Sequence, residues 1–167
     1  MLKVVGSVPT ANCQTTIDDY IPVSFRCLST GAPLLHWRTG NLDTSLLDIG
    51  IDPNDGAICA ATVTLIDPST ISTDGGHVKA GQKIQGAPVC DINDWPDSRY
   101  RDESFPFTVA IGSESVQFWL SHEMPVQMMY EVGHMRFGIG TEGALCLLEV
   151  VNLTRRDLDR IIGVSDD

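Results

Sequence analysis

Along most of the chain, apolar and polar residues alternate in short runs, the two-residue period of half-buried strands. Val23, Phe25 and Cys27 alternate with Ser24 and Arg26; Phe107, Val109 and Ile111 alternate with Thr108 and Ala110. The pattern predicts strands at residues 1–8, 21–28, 34–38, 107–111 and 116–120, and hairpins at residues 46–66 and 135–151. Residues 126–132 read as a strand or a helical turn, and residues 16–20 as a helical turn capped by Thr15 or Thr16. Only the C-terminal region carries firm helix signals. Thr154 is an N-cap with Asp157 at N3, Leu153 and Leu158 form a hydrophobic staple, and Gly163 is a C′ stop. Arg155 and Arg156 lie on the unfavourable side of that helix dipole, which predicts a salt bridge to the acidic body of the protein.

The two hairpins resemble each other. Residues 50–63 (GIDPNDGAICAATV) return in altered form at residues 138–150 (GIGTEGALCLLEV). Gly50 matches Gly138, Ile51 matches Ile139, Gly56 matches Gly143, Ala57 matches Ala144 and Cys59 matches Cys146, with one gap inside the turn. Asp55-Gly56 supplies the residue that tolerates positive φ in a tight turn. The expectation is an internally duplicated hairpin unit with a pseudo-twofold axis.

The predicted fold class is mainly β (β-rich α+β), with antiparallel sheets and a short C-terminal helix. A chain of 167 residues supports one core. The reading is a single compact domain of two halves, residues 1–66 and 105–167, joined by an acidic Gly/Pro/Asp-rich connection at 67–104. That connection holds short edge strands at residues 81–86 or 88–92 and an aromatic, Trp95, that either pins it to the core or is offered to a partner.

Composition narrows the function classes. The formal net charge is −11, with the excess of acid mostly in the second half. Such a surface repels nucleic acid and anionic membrane and attracts a basic partner. No run of apolar residues is long enough to span a bilayer, and no basic, then apolar, targeting segment opens the chain. The five cysteines form no Cys-x-x-Cys pair, so neither a redox motif nor a zinc knuckle is indicated. Cys59 and Cys146, at matching hairpin positions, suit buried thiols in a reducing compartment, and the expected location is cytoplasmic.

Catalytic motifs are sparse. His122, Glu131 and His134 are the one cluster that could converge on a metal if residues 126–132 fold back, though the His-Glu-x-x-His spacing is missing. His36 and His77 have no supporting pattern. Cys146 has the strand context of an inert thiol. Asp52, Asn54 and Asp55 lack the spacing of a calcium loop and read as a capped turn. No cofactor and no resident metal is expected.

The phrase Gly-Ile-Asp-Pro-x-x-Gly-x-Ile at residues 50–58 resembles hairpins in small bacterial proteins similar to immunity proteins of polymorphic or contact-dependent toxin systems. The resemblance covers under a tenth of the chain. It implies a non-enzymatic antitoxin that blocks a basic toxin domain by tight association. The acidic surface is then the binding surface, with Asp91, Asp94, Trp95, Asp97, Tyr100, Asp102 and Glu103 as candidate contacts and Trp95 and Tyr100 as anchors. The alternatives are a small metal-dependent hydrolase centred on His122, Glu131 and His134, and a homo-oligomeric ligand-binding module.

Overall fold

The computed structural model describes residues 1–10, 12–27 and 31–163. In chain order the strands are β1 (Val4–Val8), β2 (Gln14–Thr16), β3 (Val23–Arg26), β4 (Leu35–Thr39), β5 (Leu46–Ile51), β6 (Ile58–Leu65), β7 (Ile71–Ser72) and β8 (Gln82–Gln85). They continue as β9 (Ala87–Cys90), β10 (Tyr100–Glu103), β11 (Thr108–Ile111), β12 (Ser115–Trp119), β13 (Met128–Val132), β14 (Met135–Ile139) and β15 (Leu145–Val151), followed by helix α1 (Arg155–Ile161). The protein is mainly β, as the alternation predicts. Residues 16–20 differ from expectation: no helical turn forms there, and Thr16 instead ends an edge strand, Gln14–Thr16, against β3, where the backbone bonds of a ladder outweigh a short capped turn.

Sheet one has the order β10-β4-β5-β6-β3-β2, and sheet two β7-β11-β12-β15-β14-β13-β8. Each has four antiparallel strands joined the same way: β3, β6, β5 and β4 in one, β12, β15, β14 and β13 in the other. Each then gains a parallel margin strand, β10 on β4 and β8 on β13.

The two hairpins that look alike in sequence share local geometry. The register shifts between Gly50 and Ile51 in one and between Gly138 and Ile139 in the other. The turn glycines Gly56 and Gly143 have φ of +78° and +77°. A β-carbon on Gly56 would sit 2.4 Å from the Cys90 carbonyl oxygen, and one on Gly143 2.5 Å from that of Val4. Val4 and Cys90 are opposite residues of the antiparallel β1–β9 pair, and the Cys90 N–H donates to the Gly56 carbonyl at 2.8 Å. The β1–β9 ribbon therefore ties one hairpin tip to the other.

The inner faces of the sheets meet in one core. Phe25 of sheet one and Phe137 of sheet two pack edge to face, with ring centroids 5.7 Å apart. Trp37, Leu47, Ile49 and Ile51 line the first inner face and Phe118, Met135, Ile139 and Val150 the second, all buried. Such burial of alternate positions is what fixes strand register, since a one-residue slip would turn every one of them outward.

Helix α1 closes the core with Leu158 and Ile161. The Thr154 hydroxyl accepts from the Asp157 N–H, and the Asp157 carboxylate accepts from the Thr154 backbone, a complete capping box despite the short side chain at N3. These bonds, from the Thr154 side chain and then its backbone, hold the Asp157 carboxyl below its ordinary pKa. Thr154→Ala is expected to lower stability by about 1 kcal/mol in chemical denaturation, the usual cost of a lost N-cap. Arg155 does not reach the body of the protein: it pairs with Asp159 one turn on, and Arg160 makes the external pair, with Asp19.

Candidate functional site

The outer face of sheet one is open and polar. In β4 the alternation buries Trp37 and Thr39 and sends His36 and Arg38 to the other side. The parallel strand β10 sets Tyr100 beside His36 and Asp102 beside Arg38, while β5 sets Asp48 opposite Arg38. Five polar or aromatic groups from three strands thus share one surface.

Their contacts form a chain. Arg38 donates to both oxygens of Asp102, Nε to Oδ1 at 2.7 Å and Nη2 to Oδ2 at 2.8 Å, a bidentate pair with fixed orientation. The Arg38 guanidinium lies 4.6 Å from the Tyr100 ring centroid. Tyr100 also stacks on His36, with centroids 5.3 Å apart and planes 23° from parallel. His36 Nδ1 is 2.8 Å from Asp48 Oδ1, which orients the imidazole. The bond from Arg38 holds the Asp102 carboxyl below its usual range, and the same bond raises Arg38. An exposed ion pair of this kind adds little stability. What it does is set the Arg38 guanidinium against Tyr100, which stays 50 % exposed and also stacks on His36.

The acidic connection is more occupied than its composition suggests. Trp95 packs half-buried against the core, with the Arg101 guanidinium 5.9 Å from its ring centroid, so it pins the segment and is not an offered anchor. Glu103 is ion-paired with Arg101 and with the N-terminal ammonium. Burial pushes the Glu103 carboxyl up, but the ammonium and Arg101 outweigh it and leave the carboxyl below its ordinary range. Asp91 accepts from the backbone and side chain of Asn93. Of the seven sequence candidates, Asp94, Asp97, Tyr100 and Asp102 are exposed. Tyr100 brings with it His36, Arg38 and Asp48, which no motif singled out. Their signal was the alternation His36-Trp37-Arg38, but the strand that completes the group lies more than sixty residues on.

The alternative cluster is dispersed. His122 stacks on Trp119, with centroids 4.9 Å apart, and bonds to the Thr108 hydroxyl. Glu131 is 3.0 Å from Arg136 Nε and accepts from Gln85 at 2.8 Å. His134 sits in the turn between β13 and β14, at the opposite end of the sheet from Trp119 and its partner Leu147. The fold-back does occur, but as a hairpin whose ladder separates the imidazoles. Among the described residues no group of three or more His, Cys, Asp or Glu side chains is placed to hold a metal ion. The Asp52–Asp55 oxygens serve the turn, accepting from Asn54 and from the Ala57 N–H.

The cysteines divide into two kinds. Cys13 and Cys27, flanking the β2–β3 pair, form a disulfide, which the expectation of free thiols in a reducing compartment did not include. Cys59, Cys90 and Cys146 are buried thiols. Burial raises all three above the ordinary thiol range, Cys90 to about 12 and Cys146 to about 11, so none is a ready nucleophile. No described helix is long and apolar enough to cross a membrane. Neither a protein-family model nor a curated protein matches this chain.

Proposed function

We propose that the chain is a protein-binding module that engages a basic partner through the outer face of sheet one, with Tyr100 as the central anchor. The observation that carries this reading is the held aromatic: Tyr100 is half-exposed yet in ring contact with both His36 and Arg38. Tyrosine and arginine dominate the energetics of protein interfaces, and a side chain ordered before contact loses less entropy on binding. Asp94 and Asp97 supply an acidic rim, and the net charge of −11 accelerates encounter with a basic surface. The hairpin resemblance makes a toxin domain the favoured partner, with the chain as its immunity protein. A cytoplasmic site of action belongs to the same proposal, and the Cys13–Cys27 disulfide weighs against it, since such bonds persist where thiols are oxidised.

Affinity capture from the native host, with wild type and Tyr100→Ala side by side, tests the reading. Basic proteins retained by the wild type are expected to be lost by Tyr100→Ala, with affinity for a purified partner falling about thirtyfold, the usual effect of an anchor worth about 2 kcal/mol. Asp94→Lys with Asp97→Lys is expected to slow association and leave dissociation nearly unchanged. Identical capture by all three proteins refutes the proposed surface.

A further inference from the structure

The outer face of sheet two differs from that of sheet one in being roofed. Strands β7 and β8 lie at opposite margins of the sheet, so residues 73–81, which join them, cross the face. Both ends of this strap are pinned where no side chain fits. A β-carbon on Gly75 would lie 2.6 Å from the Gly112 nitrogen, and one on Gly81 2.8 Å from the Gln127 carbonyl oxygen. Between the pins, the Gly76 carbonyl accepts from Gln117 Nε2 at 2.6 Å, and Val78 and Ala80 rest on the small cluster of Val126, Met129, Cys146 and Leu147.

The strap leaves a hollow on each side, and both reach Gly76 and His77. The smaller, of 270 Å³, is lined by Glu114, Arg136 and Glu149. The larger, of 490 Å³, is walled by Trp119, His122, Met124 and Val126, with Asp74 and Gln117 at its polar side. A chain of hydrogen bonds runs beneath: Trp119 Nε1 donates to Gln117 Oε1 at 3.1 Å, and Gln117 Nε2 to Glu149 Oε1 at 3.0 Å. Gln117 and Glu149 are 2 % and 4 % exposed. Facing residues at the corresponding register of sheet one are Ser24 and Thr62, which are smaller and uncharged. Burying a carboxamide and a carboxylate costs desolvation that apolar side chains would avoid, so the packing of the sheet does not by itself call for them.

We propose that the larger hollow binds a small primary amine with a flat apolar body, the ring lying against the Trp119–His122 stack and Met124 and the ammonium facing Asp74. The volume is that of an ordinary small-molecule site. In the larger hollow the carboxylate is Asp74, while Glu114 and Glu149 border the smaller one, where Arg136 is already paired with Glu131 and Glu149. Lys79 also borders the larger hollow, on the exposed side of the strap. This site is separate from the Tyr100 surface and stands or falls independently of it.

The probe is 2-phenylethylamine, with 3-phenylpropionate as the anion of similar shape and n-propylamine as the amine without a ring. The full chain is titrated while the Trp119 indole N–H and the Met124 methyl are followed by NMR. Saturable shifts at both groups are expected with 2-phenylethylamine, and binding at least about tenfold weaker for each control. Asp74→Asn, at an exposed position, is expected to abolish the preference for amine over anion. No saturable shift at about 10 mM probe, equal responses to amine and anion, an unchanged preference in Asp74→Asn, or shifts confined to other parts of the chain would each overturn the assignment.

Discussion

Phe137→Ala is expected to destabilise the protein by about 3–5 kcal/mol, a large part of what a domain of this size possesses. Phe137 is fully buried at the centre of β14 and meets Phe25 across the two sheets, so its loss opens a cavity where the two inner faces touch. Neither side can collapse into the gap without bending a ladder, because β14 is paired on both edges, with β13 and β15. Urea denaturation followed by far-UV circular dichroism measures the effect. His134→Ala, on the exposed turn of the same hairpin, is the control and is expected to change stability by less than about 0.5 kcal/mol. A Phe137→Ala cost below about 1 kcal/mol would mean that the sheets do not pack through this residue.

Loss of the Cys13–Cys27 disulfide is the second large effect. The bond closes a short loop, its cysteines 14 positions apart, and by chain entropy such a crosslink stabilises by about 3 kcal/mol. It fastens the margin strand β2, whose three residues pair only with β3. Cys13→Ala with Cys27→Ala is expected to lower the melting temperature by roughly 6–12 °C, taking roughly 2–4 °C per kcal/mol for a chain of this length. Thiol titration supplies an independent check. The oxidised protein, unfolded without reductant, should show three reactive thiols, those of Cys59, Cys90 and Cys146, and the reduced protein should show all five. Five thiols in protein isolated from its native host without reductant would remove the crosslink from the account.

The two effects depend on different kinds of information. Phe137 is visible as a core residue from its alternation with Arg136 and Gly138, a local pattern that any strand pairing would preserve. The disulfide is not visible in this way. Cys13 and Cys27 have no motif spacing, and only the return of β3 antiparallel to β2 brings them face to face. The same division holds in the acidic connection. Trp95 could be recognised as an aromatic in a polar segment, but whether it is a pin or an anchor depends on the core surface beneath it. Asp102 reads as one of several acidic residues until β10 lies parallel to β4 and gives it Arg38.

Periodicity, turn glycines and the capping box of α1 are properties of neighbouring residues, and short-range sterics and hydrogen bonding act on them before any tertiary contact forms. The amino-acid order therefore determined a mainly β chain, two like-turned hairpins with a glycine at each tip, and a short terminal helix. Parallel margin strands, the seat of the strap on sheet two and the grouping of Tyr100 with His36, Arg38 and Asp48 join residues from well-separated parts of the chain, and the disulfide depends on how β3 returns against β2. No local rule selects among the many ways of bringing distant segments together. Burial of both inner faces in one core made that choice, and with it decided which polar residues share a surface.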